Sequence, residues 1–128
     1  MALGKIKADT LEHSTAGSLD TQYVVNGSAK AWARYNASSG TPVVNDSLNV
    51  ASMTDVSAGK HSYSFSTSFG NANYAFTIGG SDIGTDTRLL LNDGNAPATG
   101  SFQFVTINGS SAATDGTHNS TVFHGDLA

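Results

Sequence analysis

Apolar and polar side chains alternate one by one through most of this chain. In HSYSFSTSF, residues 61–69, Tyr63, Phe65 and Phe69 fall on odd positions, while Ser62, Ser64, Ser66 and Ser68 fall on even ones. Neighbouring side chains of a strand point to opposite sheet faces, so this stretch predicts a half-buried antiparallel strand, rings inward and hydroxyls outward. In AKAWARYN, Ala29, Ala31, Ala33 and Tyr35 share one face, and Lys30, Trp32 and Arg34 the other. Trp32, between two cations on its own face, reads as a core or subunit-interface anchor rather than a ligand platform.

The same device recurs further on. SLNVASM sets Leu48 and Val50 against Asn49, Ala51 and Met53, and NYAFTIGG sets Tyr74, Phe76 and Ile78 against Ala75 and Thr77. Arg88–Leu91 forms a short apolar strand. SFQFVTI sets Phe102 and Phe104 against Gln103, Val105 and Ile107, and the last strand, TVFHGDLA, sets Val122 and His124 against Phe123. Turn clusters separate the runs at ASSGTP (37–42), DVSAGK (55–60), Gly70-Asn71, GGSDIGTD (79–86), NDGNAPATG (92–100) and Asn108-Gly109. The runs on either side of Gly70-Asn71 read as a hairpin. The count is seven or eight strands with no convincing helix, which predicts an all-β fold: an antiparallel, jelly-roll-like β-sandwich over residues 29–128. Residues 1–28 differ. Their apolar residues (Leu3, Ile6, Leu11, Leu19, Val24, Val25) are too sparse for a helix face or a full strand. They predict an extended N-terminal arm ending in a short strand at Tyr23–Val25, either a loose terminus or a segment that orders on a partner.

Composition sharpens this picture. The chain has 128 residues, the length of one domain, and no cysteine, so disulfides and thiolate metal sites are excluded. Charged residues are only 12%, and Asn, Ser and Thr make up about a third. The surface is therefore wetted by hydroxyls and amides. With a net charge of −4 and no basic run, nucleic-acid binding is not expected, because that needs a phosphate-neutralising patch. The longest apolar run is too short for a bilayer, and MALGKIKADTLEH has no apolar core of a secretory signal, so no membrane insertion is expected.

The search for chemistry yields no catalytic residue. His124 and Asp126 share a strand face and could orient an imidazole, but no G-x-S-x-G elbow supplies a nucleophile. The four histidines, His13, His61, His118 and His124, lack H-x-H or H-x-x-x-H spacing, so no local metal clamp is expected. Asp82, Asp86 and Asp93 lack the order of a calcium loop and read as turn formers. Five N-x-[ST] matches, at Asn26, Asn36, Asn45, Asn108 and Asn119, follow from composition. No cofactor or metal is expected, and no binding residue is singled out.

Three stretches carry a resemblance over nearly the whole chain: GKIKADTLEHSTAGSLDTQYVVNGSAKAW, SLNVASMTDVSAGKHSYSFSTSFGNANYAF and GSFQFVTINGSSAATDGTHNSTVFHGDLA. Their phrasing and order resemble small tail-fibre-type virion proteins of bacteriophages, notably marine and cyanobacterial ones. The resemblance implies a compact β-domain that assembles as a homotrimer on the virion after synthesis in the host cytoplasm, with no enzymatic activity. It implies other virion proteins as partners, reached through the N-terminal arm, and a host surface receptor as a further possible partner. Because the chain has no repetitive shaft, the implied roles are a short adaptor or fibre tip, or a capsid decoration (cement) protein. A host-receptor or carbohydrate-binding module is a further alternative, and a hydrolase of host polysaccharide would need a facing carboxylate pair. Trimer contacts would bury Leu89–Leu91 and Ala29, Ala31 and Ala33, unless these fill the monomer core.

Overall fold

A computed structural model describes residues 8–81, 87–92 and 94–128. Ten strands and one short helix follow in order. An N-terminal hairpin pairs β1 (Thr10–His13) with β2 (Gly17–Asp20), and α1 spans Thr21–Gly27. Eight strands then form the body: β3 (Ala31–Asn36), β4 (Val43–Leu48), β5 (Val50–Ser57), β6 (Lys60–Phe65), β7 (Ala75–Ser81), β8 (Thr87–Asn92), β9 (Ser101–Ile107) and β10 (His118–His124). All pairings are antiparallel, in the order β4-β3-β10-β7-β8-β9-β6-β5. The all-β sandwich expected from the alternation is the fold observed.

Two strands turn the corners between its layers. The start of β8 pairs with β7 (Thr87 and Arg88 with Ser81 and Gly80), and its remainder pairs with β9 (Leu89 to Asn92 with Ile107 to Phe104). At the opposite corner the chain passes from β4 to β5 through Asn49 alone, so one bent segment serves both layers. Strands that switch sheets at a bend are the usual means of building such corners. Asn49 makes the bend with φ 56°, in the left-handed region that Asn tolerates. Its side-chain amide then acts as a backbone unit. Oδ1 accepts from the Thr67 N–H at 2.7 Å, and Nδ2 donates to the Thr67 carbonyl at 3.0 Å.

The corner corrects the expected faces of residues 48–53. Leu48 lies on the outer face opposite Trp32 and is half exposed, whereas Val50 packs on the core. Met53 joins Val50 there instead of opposing it, because a bulge between Val50 and Ser52 shifts the register by one residue. Elsewhere the alternation holds. Ala31, Ala33 and Tyr35 on β3, Tyr63 and Phe65 on β6, Phe102 and Phe104 on β9 and Phe123 on β10 are buried. Ala31 and Ala33 thus fill the monomer core rather than a subunit contact. The side chains of Leu89–Leu91 lie outside the described residues, as do Asp82, Asp86 and Asp93.

The hairpin expected across Gly70-Asn71 does not form. β6 lies between β5 and β9, and β7 between β10 and β8, so the two runs belong to opposite layers. The connection crosses the end of the sandwich and is tied to distant chain. Phe69 N–H donates to the Thr99 carbonyl, Gly70 N–H to Asp126 O and Ala128 N–H to Ser68 O. The reason is the core. Phe69 and Tyr74 meet at 4.4 Å between centroids, and Phe123 lies within 6.5 Å of six rings: Tyr63, Phe65, Phe69, Tyr74, Phe76 and Phe102. Rings of one parity from two layers face each other and interdigitate, and each buried ring contributes roughly 1.5–3 kcal/mol. A flat hairpin would leave them side by side on one sheet.

Three further boundaries differ from expectation. Tyr23–Val25 lies in α1, not in a strand. Among the described residues no strand pairs with it, and the helix is closed by Ser28 N–H donating to Val24 O and by the Lys30 ammonium on Val25 O. β7 continues through Gly79 and Gly80 to Ser81, into the GGSDIGTD cluster, and β10 begins at His118, ahead of the start expected at Thr121.

Candidate functional site

Among the described residues of the sandwich, two places gather polar side chains from separate elements. One is sealed in the core, and the other is open on the outer face of the β4-β3-β10-β7 layer.

The sealed cluster centres on His61. Its parity with Tyr63 and Phe65 turns its ring inward, where it packs against Tyr35 and Phe104 with centroids at 5.7 and 5.8 Å. The residue is 0% exposed. Nδ1 lies 3.7 Å from Asp55 Oδ1, and Nε2 lies 3.4 Å from Asp115 Oδ1. Neither ring nitrogen makes a well-formed hydrogen bond. Burial pulls the His61 pKa below its ordinary value, while Asp115 and then Asp55 oppose the shift. Burial also raises the Tyr35 and Tyr63 phenols; for Tyr63 the Thr121 hydroxyl, donating to the phenol oxygen at 3.2 Å, works against it.

Asp115 has a second task. Its Oδ1 accepts the Gly59 N–H at 2.7 Å and so clamps the β9–β10 connection onto the β5–β6 turn. Gly59 fits beneath that connection with φ 72°, and its carbonyl accepts the Thr106 N–H at 2.7 Å. A Cβ there would come 2.3 Å from Thr114 N and 2.7 Å from Thr106 O. An imidazole between two carboxylates could in principle move a proton, but no atom of His61 reaches solvent or a substrate. The arrangement therefore works as a tie between three segments.

The open site is a shallow depression of about 480 Å³ lined by Arg34, Gly79, Gly80, His118, Asn119 and Ser120. Register builds it. Ser120 on β10 lies between Gly79 on β7 and Arg34 on β3, and His118 lies opposite Ser81. The glycines leave one side of the floor without side chains. Arg34 is exposed and makes no ion pair or hydrogen bond among the described residues. His118 Nδ1 is 3.2 Å from Thr117 Oγ1. Asn119 itself points inward, is 1% exposed and donates to Gly116 O at 2.8 Å, so its N-x-[ST] match cannot carry a glycan in the folded chain.

The structure does not bring the sequence candidates together. His124 and Asp126 share no hydrogen bond or ion pair. His61 is in the core, His118 and His124 are on the outer face of β10, and the side chain of His13 lies outside the described residues. Among the described residues no group of three His, Asp or Glu side chains is placed to hold a metal ion. The parity of His61 was readable in the sequence, but its partner Asp115 comes from an irregular connection that carries no periodic signal. The depression has no sequence signature, because Gly79-Gly80 carries the composition of a loop start while it continues β7.

Comparison with protein families, with curated proteins and with solved structures gives no match.

Proposed function

We infer that the chain is a non-enzymatic structural protein of a bacteriophage virion, a homotrimeric tail-fibre-type appendage or adaptor on the particle surface. The observation that carries this reading is apolar surface left over after the core is filled. Val43 and Leu48 on β4 and Val56 on β5, the strands at the two ends of the ladder, are about half exposed. So are Leu11 and Leu19 on the N-terminal hairpin and Val25 on α1, while Tyr23 is 62% exposed. Exposed edge strands carrying aliphatic side chains call for cover, and copies of the same chain around an axis provide it. The hairpin and α1 present a second apolar surface for another virion protein. The likeness in phrasing to small tail-fibre-type proteins supplies the setting and the trimeric state.

The test has two arms. Light scattering on the purified chain is expected to give three times the 13.1 kDa chain mass. Mass spectrometry of purified particles of the encoding phage is expected to find the chain in stoichiometric amount. A monomer at tens of micromolar, together with particles that lack the chain, would overturn the reading.

A further inference from the structure

We propose that the depression on the outer face of β3, β10 and β7 is a binding site for a carboxylate-bearing sugar residue, held through Arg34. Gly79, Ser120, Arg34 and Asp46 stand side by side across β7, β10, β3 and β4. Asp46 lies on the side of Arg34 away from the depression and makes no ion pair with it; its Oδ1 accepts the Ser47 N–H instead. The guanidinium is thus left with its donors unused beside a cavity, on a protein whose net charge is −4. A guanidinium presents parallel N–H groups that match the two oxygens of a carboxylate, which makes a carboxylate the anion this site selects best.

The rest of the site argues for a sugar as the carrier. The floor beside Arg34 is glycine backbone, and a Cβ on Gly79 would meet nothing nearer than Ser120 Oγ at 3.8 Å, so a ring can lie flat against the strand. Ser120 and His118 offer hydroxyl and imidazole partners at the rim, both exposed. The next row across the same face, Thr77, Val122 and Trp32, gives an apolar flank with a half-buried indole. An open, shallow, polar dish with one charged fork suits a saccharide acid, whose hydroxyls stay partly hydrated while its carboxylate is captured. The proposal does not rest on the virion reading, because trimerisation and sugar binding are measured separately.

The experiment is a calorimetric or saturation-transfer titration of the full chain with tri-galacturonic acid and with its methyl ester, which keeps the rings and removes the charge. The acid is expected to bind, and the ester roughly tenfold or more weakly, the loss typical of a hydrogen bond to a charged group. Arg34→Gln is expected to weaken the acid by the same factor. Gly79→Val is expected to abolish binding by filling the floor while leaving the urea midpoint within about 0.5 M, since a Cβ there makes only an ordinary contact with Ser120 Oγ at 3.8 Å and Val suits a strand. Four results would each overturn the proposal: no binding of the acid at concentrations on the order of 10 mM, above the millimolar Kd of a weak complex; equal binding of acid and ester; full binding by Arg34→Gln; or full binding by Gly79→Val. A short peptide with a free C-terminal carboxylate binding as tightly as the saccharide would overturn the assignment to a sugar.

Discussion

Replacing Gly59 with Ala isolates the clamp at the base of the sandwich. Three costs arise at this position. First, φ is 72°, and an L-residue with a Cβ is strained there by roughly 1–2 kcal/mol. Second, the Cβ would sit 2.3 Å from Thr114 N, 2.7 Å from Thr106 O and 2.9 Å from Ala113 C, all backbone atoms that no side-chain rotation can move aside. The β9–β10 connection must therefore lift. Third, lifting it threatens the bond from Gly59 N–H to the Asp115 carboxylate, at roughly 1.5–3 kcal/mol, and the bond from Thr106 N–H to Gly59 O, at roughly 1 kcal/mol. Partial relaxation keeps some of these, so the expected loss is about 3–5 kcal/mol, a large share of the roughly 5–15 kcal/mol stability of a domain.

Urea unfolding followed by circular dichroism measures this loss directly. At an m-value of about 2 kcal/mol/M, the midpoint should fall by roughly 1.5–2.5 M with the slope unchanged. The matched control is Gly40→Ala. Gly40 has φ 84° and nothing within 4 Å of a would-be Cβ, so it incurs only the conformational strain, about 1 kcal/mol. If Gly59→Ala lay within 1 kcal/mol of Gly40→Ala, the clamp would be irrelevant to stability and this account of Gly59 would fail.

The remaining predictions concern the buried His61 and the partly exposed Asn49. The folded His61 has a lowered pKa, so below the unfolded value of about 6.5 the unfolded chain binds more protons, and stability falls as pH drops through that value towards the folded one. His61→Phe keeps a ring against Tyr35 and Phe104 but removes the titration; its urea midpoint should fall less between pH 7.5 and pH 5 than that of the wild type, and equal slopes would refute the assignment. At the corner, Asn49→Ala loses both amide bonds to Thr67 and adds left-handed strain, about 2–4 kcal/mol in all, whereas Asn49→Gly removes the strain and should cost less. Thermal melts showing Gly no better than Ala would sink the strain argument.

The alternation of side chains by itself determined the strands and their inward faces. Ala31, Ala33 and Tyr35, then Tyr63 and Phe65, then Phe102 and Phe104, then Phe123 are buried as their parity requires. This is a local property of extended backbone, legible without knowing any partner. It also turned His61 inward. Tertiary structure alone decided which strands pair, because the same ring stripe can serve a flat hairpin or two facing layers, and the packing of Phe69, Tyr74 and Phe123 selects the layers. It also decided the corner at Asn49, the union of His61 with Asp115, and the open floor beside Arg34. Each of these depends on residues far apart in sequence being brought together, and a short-range pattern carries no record of which distant strand arrives beside it.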